Sequence, residues 1–426
     1  MSTDAAIETS RRILDALSQT YPGSVSVRFW DGSTWHRHSE APFTVVLKHN
    51  GSLRQMFWPF SRLSFGESYI FDDCDIEGDI FAFTDWLRYI VKESENLGVM
   101  AKLKLMKLLL KLPKQMNPRD LTKAGTPTDG DHSMARDKEA ICYTYDLSAE
   151  FYKLFLDKNL QYTCGYFASP TEDQDIAQER KMDLICRKLR LKAGEKYVDF
   201  GCGWGGLVIH AAKHYGVHAT GVTLSKEQAK CAEAAIAENG LQDRVEIRLC
   251  DYREFNAPNE FDKASSVGMG EHIGNRNLPV FFEQIRNCLK PKGAYLHHSI
   301  TLRPNTPYPR WTPFVRKYVF PNGELQTILH VLNSAAEVGF EIRDVEAMRE
   351  QYVLTLEAWV RKLEANRDAV LKITDDVTYR IFRLYMAGAT MGFRSGVYNL
   401  NQCLLIKPDG DASGVPLMRN DMYAGW

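Results

Sequence analysis

The chain has 426 residues, 44% of them hydrophobic, enough for one large domain or two ordinary ones with real cores. Its 53 Lys plus Arg stand against 54 Asp plus Glu, a net charge of -1 that excludes the bulk basic footprint of a nucleic-acid binder. With 21 Phe, 19 Tyr and 8 Trp beside ordinary Gly and Pro contents, disordered and fibrous chains are excluded too. The 9 cysteines are scattered with no close CxxC pair, so neither a zinc knuckle nor a disulfide scaffold is expected, and a reduced cytosolic compartment fits. Met1 to Arg12 is polar and the apolar stretches are broken by Lys, so a soluble chain without a membrane span is expected.

From Ser24 to Phe83 short alternating runs such as Ser24–Phe29 and Phe43–Leu47 are punctuated by Asp31-Gly32 and Asn50-Gly51. Period two between such turns predicts small hairpins in a compact N-terminal domain. A helix follows over Phe81–Glu95, then a tract from Ala101 to Lys114 with lysines at 102, 104, 107, 111 and 114. In helical register Lys104, Lys107, Lys111 and Lys114 share one face, and Leu105, Leu108, Leu109 and Leu112 form the apolar side with Met106. Such a cationic amphipathic helix either lies on an anionic membrane or packs as a linker helix with solvated lysines. Gln115–Ser133, with Pro118, Gly125, Pro127 and Gly130, reads as a linker. The expected division is therefore an accessory domain at 1–115, a linker at 116–135 and an α/β domain at 136–426.

In that last part Asp137–Leu160 and Thr171–Leu189 read as helices, and a strand–turn–helix unit follows. Tyr197–Phe200 is a short buried strand; Gly201, Gly203 and Gly205 make a tight turn into a helix from Gly206. The pattern GxGxGG, with Asp199 placed to accept from an ammonium group and to repel a pyrophosphate, favours S-adenosylmethionine. A nucleotide site and a purely structural turn stay open. His218–Leu224 is the next strand, with Ser225 and Gln228 as N-cap and capping-box partner of a helix. No acid ends this strand to hold a ribose, so Thr223, Ser225 and Gln228 are its polar candidates. Val245–Cys250 ends in Asp251-Tyr252, where Asp251 could accept from an adenine amino group. A strand at Lys263–Val267 runs into Gly268–Gly274, and another at Ala294–Ser299 follows a hairpin-like Leu289–Gly293. Beyond the carboxyl ends of such strands lie Glu271, His272 and His298, as site residues or as plain strand caps.

These pieces, with Thr144–Tyr152, Gln161–Phe167, Leu296–Ile300, Tyr318–Gly323 and Tyr352–Trp359, resemble the cyclopropane-fatty-acyl-phospholipid synthase family, which includes mycolic acid cyclopropane synthases. The resemblance runs from about Arg136 to Leu405; Gly66–Tyr69 and Asp75–Asp79 also resemble the small accessory domain of phospholipid-acting members. It implies a Rossmann-like class I methyltransferase sheet with a helical active-site cover and a smaller N-terminal domain. The implied cofactor is S-adenosylmethionine, contacted by Tyr162, Thr163, Asp199, Gly201, Gly203, Gly205, Thr223, Leu224, Ser225, Gln228, Asp251 and Tyr252. The implied reaction is attack of a cis double bond of a phospholipid acyl chain on the sulfonium methyl, then loss of a proton from the new methyl to a bound bicarbonate, closing a cyclopropane. Methylene- or methyl-branched products are the alternative; a small-amine N-methyltransferase and a non-catalytic lipid-binding protein rank behind them.

The implied bicarbonate cage is the Cys164 amide, Glu271, His298, the Ile300 amide and Tyr352, and Tyr145, Tyr162, Tyr166 and Phe167 would line an apolar tunnel. Three positions depart from the family: Thr144, Gly270 in place of a common Phe, and His297 beside His298, with His298 the better match to the cage histidine. Loss of the ring at Gly270 is expected to widen or reshape the space near the acyl chain. Cys164 is expected to act through its backbone, Cys202 only to pack, and Arg394 is a candidate for a phosphate or carboxylate. Implied partners are phospholipid acyl chains and the membrane surface, with homo-oligomerisation left open, and a cytoplasmic protein transiently at the inner membrane face.

Overall fold

The computed structural model describes residues 1–126, 132–145, 147–306 and 312–423. Positions 127–131 of the expected linker and Asp146 lie outside the described residues. The chain divides into two compact units: 1–124, 312–319 and 374–391 form the first, and 125–311, 320–373 and 392–426 the second. The first unit therefore recruits two later segments that the sequence reading left in the α/β domain, and the expected linker is divided at residue 124.

In the first unit, β1 (Val25–Arg28), β2 (Thr34–Arg37), β3 (Phe43–Leu47) and β4 (Cys74–Gly78) form a sheet of order β2-β1-β3-β4. Asp31-Gly32 makes the expected β1–β2 hairpin turn, its aspartate accepting from the Ser33 amide. Asn50-Gly51 does not: Gly51 instead stands at the N-terminus of a helix over Ser52–Phe57, and β3 runs parallel to β1. Period two holds where it should, with Phe43, Val45 and Leu47 buried and the residues between them half-buried. Asp79 caps the helix Ile80–Asn96 by accepting from the Phe81 and Ala82 amides. The recruited segments dock through polar groups. Lys317 and Tyr318 both donate to Glu67 (2.7 and 2.9 Å), and Phe314 lies so close to Gly66 that a Cβ there would meet its ring at 2.2 Å. Arg380 donates to the Tyr69 carbonyl and to Asp72, and Arg383 to the Tyr69 hydroxyl and the Ile76 carbonyl.

The lysine tract is a helix over Val99–Lys111. Leu105, Leu109 and Leu112 are buried as expected, whereas Val99, Met100, Leu103 and Leu110 are exposed beside the lysines. Among the described residues no helix is long and apolar enough to cross a membrane.

The second unit is built on β5 (Lys196–Phe200), β6 (His218–Thr223), β7 (Val245–Leu249), β8 (Phe261–Val267), β9 (Leu289–Leu302), β10 (Gln326–Thr327), β11 (Glu341–Ala347) and β12 (Tyr398–Ile406). Their order is β11-β12-β9-β8-β5-β6-β7, with β10 paired to β9. Strands β5 to β9 are mutually parallel, and β12 is antiparallel to both β9 and β11. The chain winds outward from β5 through β6 to β7, then returns to the other side of β5 with β8. Helices cover both faces: Val198 and Phe200 pack with Phe281, Phe282 and Tyr295, and Tyr197 with Leu207, Val208 and Leu296. Such a doubly wound sheet opens a crevice at the carboxyl ends of β5 and β8, where the winding reverses.

Two local expectations are corrected. Leu289–Gly293 is not a hairpin but the start of β9, because Lys292, at φ +65°, donates its amide to the Lys407 carbonyl and pairing with the last strand continues. Asp137–Leu160 is not one helix but two, Met134–Tyr145 and Ala149–Lys153, the second started by Ser148, whose hydroxyl accepts from the Phe151 amide.

Candidate active site

A cavity lies in the second unit at the carboxyl ends of β5, β6 and β8. Beyond Phe200 the chain turns through Gly201 and Gly203, whose φ of +81° and +56° suit residues without a Cβ, and both face the cavity. Gly205 does not. A Cβ there would meet that of Ala232 at 2.9 Å, so this glycine serves the close approach of two helices and not a ligand.

Asp199 lines the cavity and is almost wholly buried. Its carboxylate accepts from the Ser265 hydroxyl at 2.5 Å, and that hydroxyl accepts in turn from Tyr197 at 2.6 Å. Burial pushes the Asp199 carboxyl up to about 7, against the pull of Ser265 and Lys181. The site thus holds a costly carboxylate that a bound cation would favour.

Tyr162, Thr163, Thr223, Leu224, Gln228 and Tyr252 also line the cavity. Thr223 donates to the Gln228 side chain at 2.9 Å and fixes it, while Ser225 is spent as the helix cap, accepting from the Gln228 amide. Asp251 does not line the cavity. Arg253 grips both its oxygens at 2.7 Å, so its carboxylate is engaged by a residue two positions on. Tyr252 stays available: its buried hydroxyl has no partner.

The Gln161–Phe167 stretch is pinned by a residue the sequence reading passed over. Lys181, fully buried, donates to the Gln161 side chain (2.5 Å) and the Thr163 hydroxyl (3.0 Å). Of the four aromatics expected to line a tunnel, Tyr145 and Tyr162 face the cavity. Tyr166 turns away to donate to Glu346 at 2.9 Å, and Phe167 is buried off the cavity wall. Trp204 takes the missing place, its ring 4.8 Å from that of Tyr152 and 6.4 Å from that of Tyr145. Its position inside the glycine loop was the available signal. Met269 and His272 also line the wall, and Tyr145 stands 3.4 Å from His272.

Cys164, Glu271, His298, Ile300 and Tyr352 are not among the residues lining this cavity; strand register brings Glu271 and His298 together next to the lining residues Met269 and His272. Val267 pairs with His298, and the Gly268 amide donates to the His298 carbonyl, so the one-turn helix Gly270–Ile273 is set against β9. Glu271 Oε1 accepts from the Ile300 amide at 2.7 Å, and Oε2 is buried without a partner. The Ile300 amide, implied as an anion donor, is thereby engaged by Glu271. Burial pushes the Glu271 carboxyl up to about 7. His298 Nε2 is likewise buried without a partner, and burial beside Lys181 and Lys188 holds its imidazole well below the usual range. His297 differs: Tyr295 and Ser299 hydroxyls sit 2.9 Å from its two nitrogens, and burial holds it down at about 3. A Cβ at Gly270 would lie 2.8 Å from Ser299 and 3.2 Å from the His297 ring, so the space left by the absent side chain is filled, not widened.

Tyr352 lies on the helix Arg349–Ala365, its ring 4.6 Å from that of Phe393. The same helix holds the Cys164 turn, because the Gly165 amide donates to the Thr355 hydroxyl at 3.0 Å. The Cys164 thiol is fully buried and pushed far up, so it is no nucleophile. Arg394, expected to meet a phosphate or carboxylate, pairs with the Glu357 carboxylate.

A doubly wound sheet of this order, a glycine turn after its central strand and a buried acid beside it define a class I S-adenosylmethionine-dependent methyltransferase. The chain belongs to the mycolic acid cyclopropane synthetase family, whose model matches residues 132–403. A probable fatty acid methyltransferase of Pseudomonas putida is 35% identical over 401 residues, covering 93% of this chain and 95% of that protein. The probable fatty acid methyltransferase Rv3720 of Mycobacterium tuberculosis is 38% identical over 284 residues, 66% of each chain. Among solved structures, the cyclopropane synthase MmaA2 from Mycobacterium tuberculosis superposes with a TM-score of 0.60 at 30% identity, covering 65% of this chain and 99% of that one. The protein is a C-methyltransferase that moves the methyl of S-adenosylmethionine to an unsaturated fatty-acyl chain.

Proposed function

We propose that the acceptor is a cis double bond in a phospholipid acyl chain and that the product is a cyclopropane fatty acyl group, with bicarbonate held in the site. The observation that carries this reading is the pair of buried, partnerless atoms Glu271 Oε2 and His298 Nε2. Unpaired buried polar atoms are destabilising, and these two belong to titratable residues that the Glu271–Ile300 hydrogen bond brings to neighbouring positions, which supports a ligand there. The donor set fits a small anion. Oε1 is occupied by the Ile300 amide, and burial raises the carboxyl to about 7, so a bound anion would favour the protonated form, in which Oε2 donates. Glu271, His298 and Tyr352 would hold the anion, with the Cys164 turn beside them.

When bound, S-adenosylmethionine supplies an electrophilic methyl on a sulfonium, and bicarbonate supplies a base for the proton lost from that methyl. The chain's own residues do the rest. Asp199, ionised, orients the amino-acid ammonium of the cofactor. The rings of Tyr145, Tyr162 and Trp204 line the cavity and would favour positive charge on sulfur and on the acyl carbon next to the methylated one. The same rings exclude water, which would otherwise quench the cation.

A second reading keeps the methyl transfer but not the ring closure: a hydride shift to the cationic carbon followed by proton loss from the methyl gives a methylene branch, and proton loss from the chain gives a methyl-branched olefin. The observation behind it is the close packing of Gly270 against His297 and Ser299, at positions where this chain departs from the family pattern. The helix Val99–Lys111, which has no acidic residue and leaves Val99 and Met100 exposed, supports transient contact of a cytoplasmic protein with an anionic membrane face.

The test is mass spectrometry of lipids after incubation with cis-unsaturated phospholipid vesicles, bicarbonate and methyl-deuterated S-adenosylmethionine. One added CD2 unit is expected, with fragmentation separating ring from branched olefin; no label on lipid despite cofactor binding overturns the phospholipid acceptor. Co-sedimentation with anionic vesicles at low and high salt checks the membrane contact, and no binding at either salt sinks it.

A further inference from the structure

Behind His298 a chain of buried polar side chains leads away from the cavity. Gln402 on β12 stands directly opposite His298 in the antiparallel pairing with β9, its amide nitrogen 3.1 Å from His298 Nδ1. Lys188, on the helix Gln174–Leu189, donates to Gln402 Oε1 at 2.8 Å and to Glu346 at 2.5 Å. Only 1% of the Lys188 side chain is exposed. Glu346 on β11 also accepts from the Tyr166 and Tyr423 hydroxyls.

Donor and acceptor arithmetic fixes every orientation in this chain. A lysine ammonium only donates, so Gln402 must turn its carbonyl oxygen to Lys188; the reverse would set donor against donor. The Gln402 NH2 group then faces Nδ1, and Nδ1 must accept. A neutral imidazole that accepts at Nδ1 carries its hydrogen on Nε2. Nε2 is the atom left buried and unpartnered at the site.

We propose that Lys188 and Gln402 are positioning residues that lock His298 in the Nε2–H tautomer, so that its imidazole donates to the bound anion and does not act as the base. This rests on the reading of Glu271 and His298 as the anion site. It gives the charged residues of β11 a function at a distance, since Glu346 and, at 3.9 Å, Asp344 hold the ammonium that orients Gln402. His297 has no such lock: hydroxyls, which can donate or accept, face both its nitrogens.

The test uses full-length protein labelled with 15N-histidine, the His298 signals being assigned by their loss in His298→Asn. Wild-type protein is expected to show a pyrrole-like Nε2 and a pyridine-like Nδ1; a pyridine-like Nε2 overturns the proposal without any further variant. In Gln402→Met the two nitrogens should move toward averaged shifts, and KM for bicarbonate should rise about tenfold while KM for S-adenosylmethionine stays within about twofold. A folded Gln402→Met that keeps the wild-type signals also overturns it. If the signals average but KM for bicarbonate is unchanged, the lock stands and donation to an anion, with the anion reading of the site, falls.

Discussion

Asp73 and Arg380 in the first unit are fully paired, whereas Glu271 and His298 in the second each keep an unpaired buried atom. In the first, Asp73 is fully buried yet receives Arg119 at 2.6 Å, His49 at 3.0 Å and the Asn117 amide at 2.7 Å, and Arg380 is shared among Asp72, Asp75 and the Tyr69 carbonyl. A satisfied network of ions stabilises one arrangement of the chain, whereas a half-satisfied one is a net cost that a ligand offsets. The contrast separates architecture from chemistry without reference to any relative.

The comparison breaks most sharply at its ends. Glu271→Ala should lower kcat by about a thousandfold, on the scale of losing a preorganised donor, while the melting temperature moves little. Glu271→Gln, which keeps an acceptor for Ile300 and a donor on its other side, should recover about tenfold of that loss. A Glu271→Ala protein with wild-type turnover would remove the anion site. Arg380→Met should do the reverse: removing one partner of a buried network costs about 3 kcal/mol in denaturant melts, with the affinity for S-adenosylmethionine unchanged by calorimetry. A stability loss confined to Glu271→Ala would invert the assignment of the two units.

What the sequence made legible follows the range of the forces involved. The glycine turn, the cap at Ser225 and the strands β5 to β8 depend on neighbours within a few residues, and their ends were readable to within one or two positions. The recruitment of residues 374–391 to the first unit was not, because it rests on Arg380 and Arg383 reaching residues some three hundred positions away. Asp251 looked like a free acid at a strand end, and only the fold shows Arg253 curling back onto it. Gln402 and Lys188 carried no signal at all; each is an ordinary polar residue until strand pairing and a helix bring them beside His298.

Asp199 gives the comparison a pH dependence. Its carboxyl is raised to about 7 by burial, so in the free protein a growing fraction is protonated as the pH falls through 7. If the ionised form receives the cofactor ammonium, affinity for S-adenosylmethionine weakens about tenfold for each pH unit below that value and levels off above it. Binding at pH 6 should then release close to one proton, read by calorimetry in two buffers of different ionisation heat. No proton release at pH 6 would detach Asp199 from the cofactor and leave it as a costly buried group paired only with Ser265.

The smallest expected effect is at Cys164. A buried cysteine beside a reactive site invites the view that its thiolate takes part, but burial pushes this thiol far above its ordinary range, and its hydrogen is donated to the Gly165 carbonyl at 3.2 Å. Position, not nucleophilicity, is what this residue contributes, since the adjacent Gly165 amide is tied to Thr355 on the helix that carries Tyr352. Cys164→Ser keeps a small donor in the same turn, so turnover should fall by less than about tenfold, and iodoacetamide should leave Cys164 unmodified in the folded protein. A loss as large as that of Glu271→Ala would show that the thiol itself acts, and would move the chemistry from the unpartnered pair of Glu271 and His298 onto sulfur.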